Sequence, residues 1–297
     1  VGGALVLAGG GVAGVAWELG VLRGVADADA GLAARIAVAD LIVGTSAGSV
    51  VAAQISSGAA LELLYEAQLR TDTADLHVDV DLERLLADWA AATAGAASGE
   101  EVRRRIGALA LAADTVAEPV RRAVIADRLV GVPGWPRQRI LLPAVDAATG
   151  RVMVFSREHG VDLIDAVAAS CAVPGVWPPV SIDGRRYIDG GVRSVTNADL
   201  AAGSDPVLVI QPLPADAPSP WGNLQEELAA LEPAEVYVVS ADEQSLAAFG
   251  TNPLAPATRA PSARAGRAVG RRHAAALAAF WQPRPPDPPD TAAGSAR

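Results

Sequence analysis

The sequence contains no lysine, one cysteine (Cys171), one methionine and three histidines in 297 residues. A single cysteine cannot close an intrachain disulfide, and a cysteine-ligated zinc site needs more thiolates than the chain has. Any imidazole chemistry has only His77, His159 and His273 to draw on. No run approaches the roughly 20 apolar residues that a membrane-spanning helix requires. A basic excess is missing as well. Twenty-four basic residues, all arginine, face 34 acidic ones for a net charge of −10, which argues against a nucleic-acid partner. The apolar start, residues 1–8, has no basic flank and runs into glycines, so it reads as a strand and not as a signal peptide. The chain opens on Val1 and not Met, which leaves room for a trimmed leader. The expectation is a soluble, cytoplasmic protein.

Hydrophobic residues make up 51% of the chain and charged residues 20%, enough for one large core or two small ones and too much for a disordered or fibrous chain. Abundant alanine, with arginine wholly replacing lysine, points to a GC-rich bacterial genome. Residues 4–8 form a continuous apolar run ending in Gly9, Gly10 and Gly11, the pattern of a buried parallel strand. Residues 12–26 then place Val15, Leu19, Leu22 and Val25 on one helical side. A second apolar run, 37–43, is broken only by Asp40 and ends in Gly44-Thr45-Ser46-Ala47-Gly48, with helical sequence from Val50. Strand, glycine turn, helix, twice over, is the start of an α/β fold. Residues 72–135, rich in Ala, Leu, Arg and Asp, read as a helical insertion or lid. Strands return at 139–145 and 151–155, a helix at 161–170, and residues 186–188 lead into Asp189-Gly190-Gly191. Further strands fall at 206–210 and 235–239.

Residues 1–258 are expected to form the catalytic domain, followed by an amphipathic helix over 259–282 and a Pro-rich, disordered tail over 283–297. From residue 259 onward seven arginines face two aspartates, so the rest of the chain carries about fifteen negative charges. Arg264, Arg267 and Arg271 share one helical face, with Val269, Ala276, Leu277 and Phe280 opposite. Two uses of that helix are open: packing its apolar side on the domain, or lying at an anionic lipid surface.

Gly44-Thr45-Ser46-Ala47-Gly48 has the G-x-S-x-G spacing, in which a serine on a strand-to-helix turn is flanked by small residues so that the chain can pass closely. A serine nucleophile needs a base. Ser46 follows only two strands and no histidine is well placed, which argues against an α/β-hydrolase triad. Among the carboxylates, Asp183-Gly184 reads as a hairpin turn, Asp199 as helix entry, and Asp146 remains a competitor. Asp189, leaving a strand into two glycines, is the best candidate, although position alone does not bring it to Ser46. Gly9-Gly10-Gly11-Val12-Ala13-Gly14 exposes backbone N–H groups at a helix start, able to hold an oxyanion or a phosphate. Its G-x-G-x-x-G spacing also fits a dinucleotide site, but the second strand ends in Val43 where such a site wants an acid. His77, Asp79 and Asp81 alternate and could share a metal. A loop whose Asp81 caps the next helix explains them more simply. Trp135 and Trp177, in Pro-flanked loops, are candidates for an acyl channel or for ordinary packing.

The three glycine blocks, in this order, resemble the patatin-like phospholipase family, over about residues 3–245. Ser170-Cys171-Ala172-Val173-Pro174 and the stretch from Gly191 to Asn197 add to the likeness. The resemblance implies a three-layer α/β/α fold with a mostly parallel central sheet and a Ser46–Asp189 dyad without histidine. It further implies an oxyanion hole from Gly9, Gly10 and Gly11, with Gly14, Gly44, Gly48, Gly190 and Gly191 as motif glycines, and no metal or cofactor. The implied substrate is a phospholipid or another acyl lipid, reached by peripheral membrane contact. Ala8 and Ala13 depart from many relatives, which carry an aspartate before the glycines and a basic residue two after them. A catalytically inactive lipid-binding relative is the alternative.

Overall fold

In the computed structural model, which describes residues 2–215 and 224–282, the first apolar run forms β1 (Ala4–Leu7). After it, α1 (Gly11–Ala28) begins at the glycine turn. The second apolar run is only partly strand. Its first residue closes a helix, α2 (Ala30–Ala37), and β2 is Leu41–Gly44. The Asp29 carboxylate accepts the Leu32 N–H at 2.8 Å, and Leu32, Ala33 and Ile36 bury a helical stripe. The helix takes only Ala37 of that run, and residues 38–40 turn the chain into β2. The chain continues through α3 (Ala47–Ser56) and α4 (Leu61–Leu69).

The segment read as a helical insertion contains α5 (Leu82–Thr93), α6 (Gly99–Ala112) and α7 (Glu118–Arg128). Asp81 caps α5 by accepting the Arg84 N–H at 2.9 Å. The sheet resumes with β3 (Arg139–Asp146) and β4 (Val152–Phe155), followed by α8 (Leu163–Ser170). Next come β5 (Val180–Ile182), β6 (Arg185–Asp189), β7 (Val207–Gln211), α9 (Leu224–Ala229) and β8 (Val236–Ser240). The described chain ends in α10 (Glu243–Phe249) and α11 (Arg259–Phe280). The Pro-rich stretch over 283–297 lies outside the described residues.

The strand order is β5-β6-β3-β2-β1-β7-β8, with β4 also paired to β3. The pairs joining β3, β2, β1, β7 and β8 are parallel, whereas β4, β5 and β6 make antiparallel pairs. Successive side chains alternate: Leu5, Leu7, Ile42, Leu208 and Ile210 enter one core, and Ala4, Val6, Val43, Val207 and Val209 the other. Burial on both faces explains why these strands are continuous apolar runs without polar alternation. The protein is thus a mixed α/β fold around a mostly parallel sheet.

The register places the site. Leu7 lies opposite Gly44, so the glycine turn after β1 and the serine turn after β2 emerge side by side at the carboxyl ends of neighbouring parallel strands. β6 runs the other way, with Asp189 opposite Ala144 of β3, and its last residue therefore returns to that same edge.

On the sheet face that also carries α3, α11 crosses α1 with glycine meeting backbone. A Cβ on Gly20 or Gly24 would collide with the carbonyls of Ala263 or Arg267. One on Gly266 or Gly270 would collide with those of Trp17 or Val21. Val269 and Leu277 are buried, each worth about 1.5–3 kcal/mol. Arg267 and Arg271 pair with Asp27 of α1, while Arg264 is exposed. Of the expected apolar side, Val269 and Leu277 therefore pack on the domain and Phe280 does so in part, while Ala276 is exposed.

Candidate active site

Ser46 sits between β2 and α3 at φ 52° and ψ −113°, a conformation that costs a non-glycine residue on the order of 1–3 kcal/mol. Its neighbours hold it there. The Ser46 N–H donates to Ser170 Oγ (3.0 Å), and its carbonyl accepts from Ser49 Oγ (2.6 Å) and Cys171 Sγ (3.1 Å). The turn tolerates nothing larger at its flanks: a Cβ on Gly48 would strike the Leu7 carbonyl, and one on Gly44 the backbone of Gly48. The two small residues of the G-x-S-x-G spacing thus have a direct steric reason.

Asp189 arrives from β6 and meets the serine. Ser46 Oγ donates to Asp189 Oδ2 at 2.7 Å, and the Gly191 N–H donates to Oδ1 at 2.7 Å. The carboxyl is 5% exposed. Burial pushes its pKa up to about 7, against the Gly191 and Ser46 hydrogen bonds and the positive charge of Arg121, which all favour the carboxylate. Gly190 lies so close to Pro143 that a side chain there would collide with the Pro143 carbonyl.

The glycine turn differs from expectation at one position. The Gly9 N–H donates to the Val195 carbonyl at 2.8 Å and is therefore not free to receive an oxyanion. A Cβ on Gly9 would only touch Val195 and Ser46 at ordinary van der Waals distance, so its role is the backbone bond to Val195. The N–H groups of Gly10 and Gly11 have no acceptor among the described residues, nor does that of Ala47 at the start of α3. Gly14 packs on Ala47, fixing α1 against α3.

The rival acids are occupied elsewhere. Asp146 accepts from Arg185 and from the N–H groups of Ala148 and Thr149. Asp183, at φ 50°, and Gly184 turn the β5–β6 hairpin, and Asp199 pairs with Arg193. Of the histidines, His273 bonds Tyr237 and His159 bonds Ser156. No histidine lines the small pocket at Ser46.

Three contributors escaped sequence reasoning. Asn197, fully buried at φ 51°, donates through Nδ2 to Thr45 Oγ1 (3.0 Å) and towards the Gly190 carbonyl (3.4 Å), tying the serine turn to the aspartate turn. Its motif text was visible, but its role was not. Ser170 holds the Ser46 amide. Arg121, from α7, lies over the Trp177 ring at 3.8 Å, and both residues line the space beside Ser46. Trp135 turns away, donating to the Val161 carbonyl at 2.6 Å. The space at Ser46 is narrow, about 20 Å³, while a cleft of about 520 Å³ shares Val12 and Arg128 with it.

A buried serine on a strained strand-to-helix turn is thus bonded to an aspartate at the edge of an α/β sheet. The sequence pattern that defines the patatin-like phospholipases matches residues 5–202, and the chain belongs to that family. Membership supports lipid hydrolysis as its activity. No curated protein matches the chain in sequence. Among solved structures it is similar to VipD from Legionella pneumophila, at 11% identity and a TM-score of 0.47, over 94% of this chain and 67% of that one. It is also similar to the type III effector protein ExoU, at 16% identity and a TM-score of 0.42. That similarity covers 92% of this chain but only about half (53%) of ExoU.

Proposed function

We propose that the protein hydrolyses carboxylic esters of acyl lipids through a Ser46–Asp189 dyad. The observation that carries this reading is the 2.7 Å bond from Ser46 Oγ to a buried carboxylate whose proton affinity is raised to about 7. Asp189 takes the Ser46 proton as Oγ attacks the ester carbonyl, and the oxyanion that forms is received by the N–H groups of Gly10 and Gly11. Collapse expels the alcohol, which leaves with the proton from Asp189. Water then attacks the acyl-serine with Asp189 again as base, releasing the fatty acid and restoring Ser46. Residues 1–258 form the catalytic unit, and the helical insertion serves as its lid, since α7 supplies Arg121 and Arg128 to the pocket wall. Contact with lipid is peripheral: no helix among the described residues is long and apolar enough to cross a membrane.

The test is intact mass after exposure to a fluorophosphonate, with and without lipid micelles. Wild type gains one adduct, Ser46→Ala none, and Asp189→Ala gains it at least 100-fold more slowly. An unlabelled wild type, even with micelles present, would replace catalysis with lipid binding by an inactive relative.

A further inference from the structure

Arg121 is a charged side chain with too few partners for its surroundings. It is 5% exposed, yet its Nε and Nη1 have no hydrogen-bond partner among the described residues. Leaving buried donors unmatched is unfavourable by about 1–3 kcal/mol each, more for a charged group, and such groups call for a reason. The Trp177 face supports the guanidinium without satisfying any N–H. Nor is the arrangement relaxed electrostatically. Burial, then the like charge of Arg128 seven residues along the same helix, both disfavour the charged form, with Cys171, Asp75 and Asp189 acting in the opposite direction. A guanidinium nevertheless stays protonated at neutral pH.

Arg121 borders a small space beside Glu118 and Asp165, and it also lines the space that Ser46 lines. Arg128 stands where that space meets the larger cleft, held by Asp75, which Arg259 also approaches. Of the acids lining the outer cleft, Asp75 is thus already paired, Asp72 is paired with Arg70, and Asp127 is the third. Two guanidinium groups beside one nucleophile, one of them lacking acceptors, favour an anion with several oxygens in a fixed geometry. A phosphodiester matches the arginine fork. The narrow space has room for one water, which can serve the free enzyme and be displaced by substrate.

We propose that Arg121, backed by Arg128, holds the phosphodiester of a glycerophospholipid next to Ser46 and so sets a preference for phosphate-bearing over neutral acyl lipids. This rests on the hydrolase reading of Ser46 and Asp189. The experiment compares dihexanoylphosphatidylcholine with dihexanoylglycerol, which share acyl chains and differ in the phosphocholine. Both are assayed below their micellar concentrations, on wild type, Arg121→Gln and Arg121→Lys, and rates are normalised to fluorophosphonate-titrated Ser46. The ratio of kcat/KM for phospholipid to that for neutral ester falls at least tenfold in Arg121→Gln, chiefly through KM, and by less in Arg121→Lys. Glycerophosphocholine inhibits neutral-ester turnover by wild type at least tenfold more strongly than by Arg121→Gln. An unchanged ratio, or equal losses on the two esters, would overturn the headgroup role. So would inhibition by inorganic phosphate with no change in the ratio, which would mark a free-phosphate site. A wild type inert to both esters and unlabelled at Ser46 would instead overturn the hydrolase reading, and this proposal with it.

Discussion

At Asp189, burial and hydrogen bonding act in opposite directions, and burial wins. A base must be deprotonated to work, so kcat/KM on a neutral ester should rise with pH, tenfold per unit below about 7, and level off above it. A profile flat from pH 5 to 9 would exclude Asp189 as the base. The same titration affects folding, with a sign that can be worked out. The folded carboxyl holds its proton up to about 7, whereas an unfolded one releases it near 3.8. Stability is therefore unaffected below the lower value, declines between the two, and above pH 7 is reduced by on the order of 4 kcal/mol. Asp189→Asn removes that penalty, so it should be inactive yet melt higher than wild type at pH 8. A gain of about 1 kcal/mol corresponds to roughly 2–4 °C in a chain of this size. The difference in Tm should shrink at pH 4, and equal gains at the two pH values would show that ionisation is not the cause.

At the scale of elements, the G-x-S-x-G turn works because three strand ends coincide. β1 and β2 bring glycine turn and serine turn together by parallel register, and antiparallel β6 returns Asp189 to the same edge. Asn197 then fastens the serine turn to the aspartate turn. The crossing of α1 and α11 is fixed by glycine on each helix, which allows backbone contact. Gly20→Val would push a branched side chain against the Ala263 carbonyl, a loss of roughly 1–3 kcal/mol. Calorimetry should show Tm lowered by several degrees in one cooperative transition, because α11 shares its core with α1. A separate early transition would mean that residues 259–282 melt as an independent unit.

Across the whole molecule, charge and shape are divided. The chain is acidic overall, with a net charge of −10, yet α7 places two arginines at the pocket around Ser46. A global repulsion of anions thus coexists with a local site that attracts one, since buried pairs are screened far less than surface charges. The Arg-rich face of the terminal helix, which composition left free for lipid, is partly engaged: Asp27 holds Arg267 and Arg271, and Arg267 also lies 5.1 Å over the Tyr65 ring.

Local sequence determined much of this. Continuous apolar runs declared strands buried on both faces, and glycines around Ser46 and after Asp189 declared close backbone passages. These are short-range steric requirements that leave their mark on neighbouring letters. The run over 37–43 is strand only from Leu41, because Ala37 ends α2 and residues 38–40 form a turn exposed at Val38 and Asp40. What the linear order could not contain were relations across distance. The meeting of Ser46 with Asp189, the loss of the Gly9 N–H to Val195, and the brace from Asn197 to Thr45 all join residues far apart in sequence. The approach of Arg121 to the Ser46 pocket had no local signature at all. An arginine in an alanine- and arginine-rich helix looks like any solvated charge until tertiary packing removes its water and leaves its donors unmatched.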